Sequence, residues 1–360
     1  MWFLHITQFK KIFKLDVTLE RLYMNKIALI SLIFLSKIVF GNVDFKDQFK
    51  IFTIENKELG KVEFCTFKST ITKKKPILIF IHGSGNEPTF CYQPDLKIYA
   101  WKGFLEIEKY KDKYHVISVS KPGIPLFDTV QKDPVTFQTS YPLNDEFRAR
   151  YSLEWRAKAV SLIIDQAIKL LPVDKSKILV IGHSQGGQVA PKVAVLNKKV
   201  THVVILNANS LNHLYDFVLQ ERLASFKGEQ SYEQTQQNID SLFSDYKKIF
   251  NDPNNTTKFW NEETYYRWSS FSNETPLENM LKLKIPILVI AGGKDLWGSF
   301  IMNTDYVQIE FLKQKKTNLT YTVYPNANHF LQDEIIVNDK INYVDLKPTI
   351  FKLVDEWTNK

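Results

Sequence analysis

Residues 177–187 read Lys-Ile-Leu-Val-Ile-Gly-His-Ser-Gln-Gly-Gly, an apolar run followed at once by a serine between glycines. The run is typical of a strand buried on both faces of a parallel sheet, and the segment from Gln185 onward can continue as a helix. A serine at such a tight strand-to-helix turn has a strained backbone and exposes its hydroxyl above the sheet. Side chains at the flanking positions would clash, so Gly182 and Gly186 are required. The stretch therefore predicts that Ser184 is a nucleophile.

Similar short apolar runs recur along the chain, with helical stretches between several of them. The runs cover residues 77–81, 114–119, 202–206 and 285–290. Residues 152–171 have apolar side chains at helical spacing, whereas residues 45–69 alternate in the manner of an antiparallel pair at a sheet edge. This alternation of strand and helix predicts an α/β fold with a mostly parallel central sheet flanked by helices.

Two stretches interrupt the alternation. Residues 121–150 contain several prolines without clear periodicity, which predicts a long loop of the kind that is usually functional or mobile. Residues 211–284 are rich in aromatic side chains and largely helical in pattern, so we interpret them as a cap inserted into a domain that spans 42–360. Such aromatic residues usually form a core, yet a cap shields a substrate. The candidates for contact with an apolar part of the substrate are Trp260, Tyr266 and Trp268.

The serine motif and its strand resemble the nucleophile elbow of the α/β-hydrolase superfamily, and the resemblance covers residues 75–340. The pattern of this superfamily implies a His-Gly pair at the end of an earlier strand, which is present here in the sequence His-Gly-Ser-Gly at 82–85. It implies that the backbone amides of Ser84 and Gln185 bind the oxyanion of the reaction. The glycines that shape the oxyanion loop and the elbow are Gly83, Gly85, Gly182 and Gly186.

The same resemblance implies an acid after the strand that follows the cap, and a histidine in a loop near the C-terminus. Asp295 and His329 occupy these places in the chain order serine, acid, histidine. His329 would take the proton of Ser184 during attack, and Asp295 would hold the imidazole tautomer. Two other carboxylates, Asp305 and Asp333, remain alternative acids at this point.

These residues together predict a serine hydrolase that cleaves a carboxylic ester or thioester through an acyl-enzyme on Ser184. Its partner would be a small-molecule or acyl substrate, and the reaction needs no metal and no organic cofactor. A serine peptidase of the prolyl-oligopeptidase or dipeptidyl type, or an acyltransferase, would use the same residues. A non-catalytic binding member of the superfamily is a further alternative, against which the complete set of Ser184, Asp295 and His329 argues.

The charge of the chain is concentrated at its N-terminus. Residues 1–41 carry six basic and two acidic groups, which is half of the formal net charge of +8. The segment from Met24, which we consider a plausible true start, predicts a signal peptide with cleavage after Gly41 and export to the periplasm or the medium. An uncleaved membrane anchor is the alternative, although the apolar segment is short for a bilayer span. With no basic stripe interleaved with aromatic residues, nucleic-acid binding is not expected.

The two cysteines of the 360-residue chain are Cys65 and Cys91. Two are too few for a disulfide scaffold, and by themselves too few for a metal site. In an exported protein they could pair with each other, whereas buried separate thiols would behave as small hydrophobic residues. The sequence leaves both readings open.

Overall fold

The computed structural model describes residues 45–94, 98–101, 105–133, 139–296, 301–338 and 340–359. The predicted signal peptide at 1–41 lies outside these ranges. Among the residues that are described, no helix has both the length and the apolar character needed to cross a bilayer.

The described secondary structure alternates between strands and helices along most of the chain. The strands are β1 (Phe49–Asn56), β2 (Gly60–Phe67), β3 (Lys75–Ile81), β4 (Phe90–Gln93), β5 (Ile98–Trp101), β6 (His115–Val119), β7 (Phe127–Thr129), β8 (Gln131–Lys132), β9 (Thr139–Ser140), β10 (Val173–His183), β11 (His202–Leu206), β12 (Phe259–Trp260), β13 (Glu263–Thr264), β14 (Ile287–Gly292), β15 (Leu319–Tyr324), β16 (Gln332–Val337) and β17 (Lys340–Asp345). The helices are α1 (Asp145–Arg150), α2 (Leu153–Leu170), α3 (Gln185–Leu196), α4 (Leu214–Phe226), α5 (Tyr232–Asn251), α6 (Tyr265–Asn273), α7 (Pro276–Leu281), α8 (Ile301–Lys313) and α9 (Lys347–Trp357). Short 3-10 turns cover Phe45–Gln48, Lys68–Thr70 and Leu105–Tyr110.

The centre of the fold is an eight-stranded sheet with the strand order β1-β2-β6-β3-β10-β11-β14-β15. The strands from β6 to β15 in this order are parallel, whereas β1 and β2 are antiparallel to their neighbours. The predicted α/β fold with a mostly parallel sheet is therefore confirmed, and the antiparallel pair lies at the sheet edge as expected.

Side chains of the central strands alternate between two cores, one on each face of the sheet. Ile178 and Val180 of β10 join a core that includes helices α2 and α3, whereas Leu179 and Ile181 join a core that includes α9. Burial on both faces explains why these strands read as continuous apolar runs instead of an alternating pattern. Helix α2 begins where Ser152 caps it, its hydroxyl accepting a hydrogen bond from the amide of Trp155.

The segment 121–150, interpreted from the sequence as a long loop, contains more structure than we expected. Its described residues form β7, β8, β9 and α1. Strand β7 pairs with β4 in a separate three-stranded sheet that also holds β5, and β8 pairs with β9. Strand β7 pairs with residues 37 positions earlier in the chain, Phe127 lying opposite Phe90, so the pairing leaves no local periodicity that a sequence pattern could reveal.

The cysteines lie in different sheets, Cys65 in β2 and Cys91 in β4. Both are buried thiols. Burial raises the pKa of the Cys65 thiol, and Cys91 Sγ donates a 3.2 Å hydrogen bond to the carbonyl oxygen of Pro88. Of the two readings that the sequence left open, the structure has the separate thiols.

Helices α4, α5 and α6 follow β11 and precede β14 along the chain, and they have a small core of their own. This core contains Leu214, Val218, Ile239, Tyr246, Ile249 and Trp268. Leu277 and Met280 of α7 belong instead to the main core beneath the sheet. Helix α7 thus shares the core of the sheet, whereas the smaller core is formed by α4, α5 and α6.

Candidate active site

Ser184 stands between the end of β10 and the start of α3 in a backbone conformation that non-glycine residues rarely adopt, with φ 55° and ψ −128°. A Cβ atom at Gly182 would collide with the carbonyl oxygen of Gly186, and one at Gly186 with the carbonyl oxygen of Ile81. The turn is thus tight enough to exclude every side chain but hydrogen at these two positions. Ser184 itself is half-buried and reaches the cavity beneath the cap.

His329 and Asp295 meet on the same side of the sheet. Asp295 follows β14 and is 1% exposed, and its Oδ2 lies 2.8 Å from Nδ1 of His329. Among the described residues, neither alternative acid is hydrogen-bonded to the His329 ring: Asp305 accepts a 2.6 Å hydrogen bond from Tyr321, and Asp333 belongs to strand β16. Asp295 is therefore the carboxylate that orients the His329 imidazole, with Nδ1 as the proton-bearing nitrogen.

An asparagine that the sequence did not single out fixes the histidine loop. Asn207, directly after β11, donates 2.9 Å hydrogen bonds to the carbonyl oxygens of Asn328 and His329. Its Oδ1 accepts a 2.7 Å hydrogen bond from the amide of Gly292. Asn207 has φ 42°, which asparagine tolerates better than most residues. Asn207 could have been suspected from the sequence, because it is a polar residue at the carboxyl end of a central parallel strand.

His183, between Gly182 and Ser184, supports the same loop from another side. Its Nε2 lies 2.9 Å from the carbonyl oxygen of His329, and because a carbonyl only accepts, Nε2 carries the proton. Burial, together with the nearby His329, lowers the pKa of His183 to about 3. His183 is therefore neutral at ordinary pH and acts as a support for His329.

The proposed oxyanion donors lie beside the serine. Ser84 and Gln185 line the same cavity as Ser184, and a Cβ at Gly83 would stand 3.2 Å from the Cβ of Ser184. Gln185 is the first residue of α3, where a backbone N–H has no partner inside the helix. Lys121 Nζ donates to the carbonyl oxygens of Ser84, at 3.0 Å, and Gly85, so it holds the loop from behind.

A buried arginine joins the two segments that carry these amides. Arg156 of α2 donates to the carbonyl oxygen of His82 at 2.5 Å and to Oε1 of Gln185 at 2.9 Å. The hydroxyl of Tyr151 donates to the same Oε1. Arg156 lies on the apolar face of α2, three residues after Leu153. A charged residue at an apolar position of a helix is unusual, and this feature of the sequence could have indicated that Arg156 is buried.

Beneath the cap lies a cavity of about 910 Å³. Its floor includes Ser184, His329 and Gln185, and its roof comes from α4 and α6. Of the three aromatic residues considered for substrate contact, Trp268 lines the cavity, whereas Trp260 and Tyr266 are not among its lining residues. Trp260 packs against Trp268 with ring centroids 5.0 Å apart, so it lies behind the cavity wall in the cap core.

The Ser184 hydroxyl is not hydrogen-bonded to His329 in the described part of the chain, although both residues line the cavity. A catalytic hydrogen bond of this kind is often long in an enzyme without substrate and tightens when substrate binds. Within the same described ranges, no cluster of three or more His, Cys, Asp or Glu side chains is arranged to hold a metal ion.

The arrangement of strained serine, oxyanion loop and acid-linked histidine agrees with the result of sequence comparison. A sequence profile of the Alpha/beta hydrolase family matches residues 78–334. The chain belongs to this family.

Solved structures with the same fold include two peptidases. One is the acylaminoacyl peptidase of Pyrococcus horikoshii, with a TM-score of 0.54 and 13% identity over 86% of this chain and 41% of that chain. The other is a candidate dipeptidyl aminopeptidase IV from Bacteroides ovatus, with a TM-score of 0.51 and 11% identity over 86% of this chain and 35% of that chain. The chain thus spans well under half the length of either protein. At sequence identities this low, the structural similarity shows a shared fold and nothing further. No curated protein sequence matches the chain.

Proposed function

We propose that the protein is a serine hydrolase that transfers the acyl group of a carboxylic ester or thioester to Ser184 and then to water. The observation that supports this most is the convergence of three features on one cavity. These features are a strained serine, a histidine whose Nδ1 is bonded to a buried carboxylate, and the segments that carry two backbone amides. The strained backbone of Ser184 supports a functional role for this residue, because such strain persists chiefly at functional sites.

The proposed reaction begins when Ser184 Oγ attacks the acyl carbon. His329 Nε2 takes the hydroxyl proton, while Asp295 stabilises the imidazolium that forms. The carbonyl oxygen becomes an oxyanion that accepts hydrogen bonds from the amides of Ser84 and Gln185, and one such donor is worth about a hundredfold or more in rate. The C–O or C–S bond of the substrate then breaks, and His329 returns the proton to the leaving alcohol or thiol.

Water completes the cycle in the second half of the reaction. His329 takes a proton from the water as its oxygen attacks the acyl carbon, and the proton is returned to Ser184 Oγ as the acid product leaves. An amide substrate or an alcohol acceptor would pass through the same acyl-enzyme. A peptidase or an acyltransferase is therefore the alternative within this mechanism.

Covalent labelling tests the proposed nucleophile. A fluorophosphonate probe should modify the purified wild-type protein, and Ser184→Ala should abolish the modification. Ser176→Ala is the matched control, because Ser176 is an exposed serine at the opposite end of β10. Labelling of Ser184→Ala at the wild-type level would refute the mechanism.

A substrate panel tests the bond that is cleaved. Nitrophenyl esters and thioesters of increasing acyl length are compared with aminoacyl nitroanilides by their kcat/KM. Higher kcat/KM for the esters or thioesters supports the proposal, whereas higher values for the amides would make the protein a peptidase. Product analysis in the presence of an added alcohol separates hydrolysis from acyl transfer.

A further inference from the structure

Arg267, in the first turn of α6, is a buried cation in the wall of the active-site cavity. It is 2% exposed, and its guanidinium lies 4.0 Å from the ring centroid of Trp268 and 5.3 Å from that of Phe271. Its Nε and Nη1 are buried and have no hydrogen-bond partner among the described residues. The aromatic rings therefore hold the guanidinium in place, while the N–H groups of Nε and Nη1 have no acceptor among the described residues.

A buried charge without hydrogen bonds is strongly unfavourable, so its retention at a cavity wall requires an explanation. Glu263, four residues earlier, lines the same cavity, yet no ion pair or hydrogen bond joins Glu263 to Arg267 within the described chain. Burial raises the pKa of Glu263 although the nearby Arg267 acts in the opposite direction, so the negative charge of Glu263 is disfavoured. Glu263 is thus an incomplete partner for Arg267.

A second donor without an acceptor lies in the floor of the same cavity. The Oε1 atom of Gln185 accepts hydrogen bonds from Arg156 and Tyr151, and this fixes the orientation of its amide group. The Nε2 atom of Gln185 is buried and has no acceptor in the described part of the chain. Arg267 and Gln185 both line the cavity, so a ligand rich in acceptor oxygens that reached these buried N–H groups would satisfy them.

We propose that this cavity is selective for acyl substrates that carry a carboxylate, which Arg267 binds as a charge-assisted pair. This inference rests on the proposed function for the reaction itself, whereas the binding of the carboxylate does not depend on turnover. The planar guanidinium matches a carboxylate in shape and charge, and the water-poor site strengthens the pair. The substrates expected are monoesters or monothioesters of dicarboxylic acids.

A pair of matched esters tests this selectivity. The kcat/KM for 4-nitrophenyl hydrogen glutarate is compared with that for its neutral methyl ester, 4-nitrophenyl methyl glutarate. The wild-type protein should favour the charged ester, and Arg267→Met should lower the ratio about 10- to 100-fold, the range expected for a hydrogen bond to a charged group. Arg267→Lys should restore part of the ratio. Arg222→Met, at an arginine of the cap that does not line the cavity, should leave it unchanged.

A binding measurement separates this proposal from the proposed function. Calorimetry of Ser184→Ala with monomethyl glutarate measures affinity without turnover, and adding Arg267→Met should weaken the affinity at least about tenfold. Thermal unfolding of each variant verifies that it is folded. An unchanged affinity, or an unchanged ratio of the two esters, would overturn the carboxylate site while leaving Ser184 labelling intact. Absence of that labelling would instead overturn the hydrolase mechanism and leave the calorimetric result to decide on the carboxylate.

Discussion

The side-chain amide of Asn207 donates a 2.9 Å hydrogen bond to the main-chain carbonyl oxygen of His329. The same side chain accepts from the amide of Gly292, at the end of the strand that precedes Asp295. One residue thereby fixes the histidine loop relative to the strand that leads to the acid. Asn207 acts through His329, so we regard it as a positioning residue for the proposed reaction.

We predict that Asn207→Ala lowers kcat on the order of tenfold to a hundredfold, because small misplacements of a reacting group cost this much. Steady-state kinetics measure the effect. The matched control is Asn318→Ala, since Asn318 also bonds two carbonyl oxygens, but it does so near the start of β15. Both variants should lose stability, and only Asn207→Ala should lose kcat. Equal kcat in the two variants would contradict this role.

Arg156 should control the geometry of the oxyanion donors. Arg156→Met removes the hydrogen bonds to His82 and to Gln185, so the two segments that carry the oxyanion-binding amides lose their common support. We expect kcat to fall about tenfold or more and a trifluoromethyl ketone inhibitor to bind correspondingly more weakly. Lys158→Met, at an exposed position of the same helix, is the control. A variant with lower kcat but undiminished inhibitor affinity would show that Arg156 has a merely structural role.

The elbow should tolerate no side chain at Gly186. Because a Cβ there would collide with the carbonyl oxygen of Ile81, Gly186→Ala must displace β3 or α3. We expect a loss of roughly 4 kcal/mol or more in the free energy of unfolding, measured by urea denaturation. Gly228→Ala provides the comparison, since Gly228 has φ +73° but open space around it, and it should cost only about 1–2 kcal/mol. Comparable losses at both positions would argue against the close approach.

Acid should destabilise the protein partly through His213. Burial, with a further contribution from Arg267, lowers the pKa of His213 to about 3. Between the ordinary histidine pKa of about 6.5 and this value, the unfolded chain binds a proton that the folded chain does not, so the free energy of unfolding falls as the pH falls. We predict a shallower loss of Tm from pH 7 to pH 4 in His213→Phe. Parallel Tm curves for wild type and variant would contradict the prediction.

The sequence predicted what depends on local pattern. Buried strands such as β10 and β14 are continuous apolar runs, and the steric demands of the elbow require glycine at fixed spacing from Ser184. The pairing of Asp295 with His329 agrees with the family resemblance, because chain order in this fold determines which strand ends are neighbours.

The partners of the supporting polar groups could not be predicted from such patterns. Arg156 contacts His82 and Gln185, which lie far from it in the chain, so its position on the apolar face of α2 does not reveal which residues it contacts. Trp260 was a candidate for substrate contact, yet its position behind Trp268 depends on the packing of the cap helices. These contacts follow from tertiary packing, which propensity and periodicity do not encode.

Strands β11 and β14 are hydrogen-bonded neighbours, with Val203–Leu206 opposite Ile287–Ile290. The chain therefore leaves the sheet after β11, forms the cap and returns to the adjacent strand, so the cap is an insertion whose two ends lie close together. Such an insertion can become longer or shorter without altering the spacing between Asn207 and Gly292, because the pairing of β11 with β14 sets that spacing. A change in the proposed carboxylate site of the cap therefore leaves the residues of the proposed acyl transfer in place.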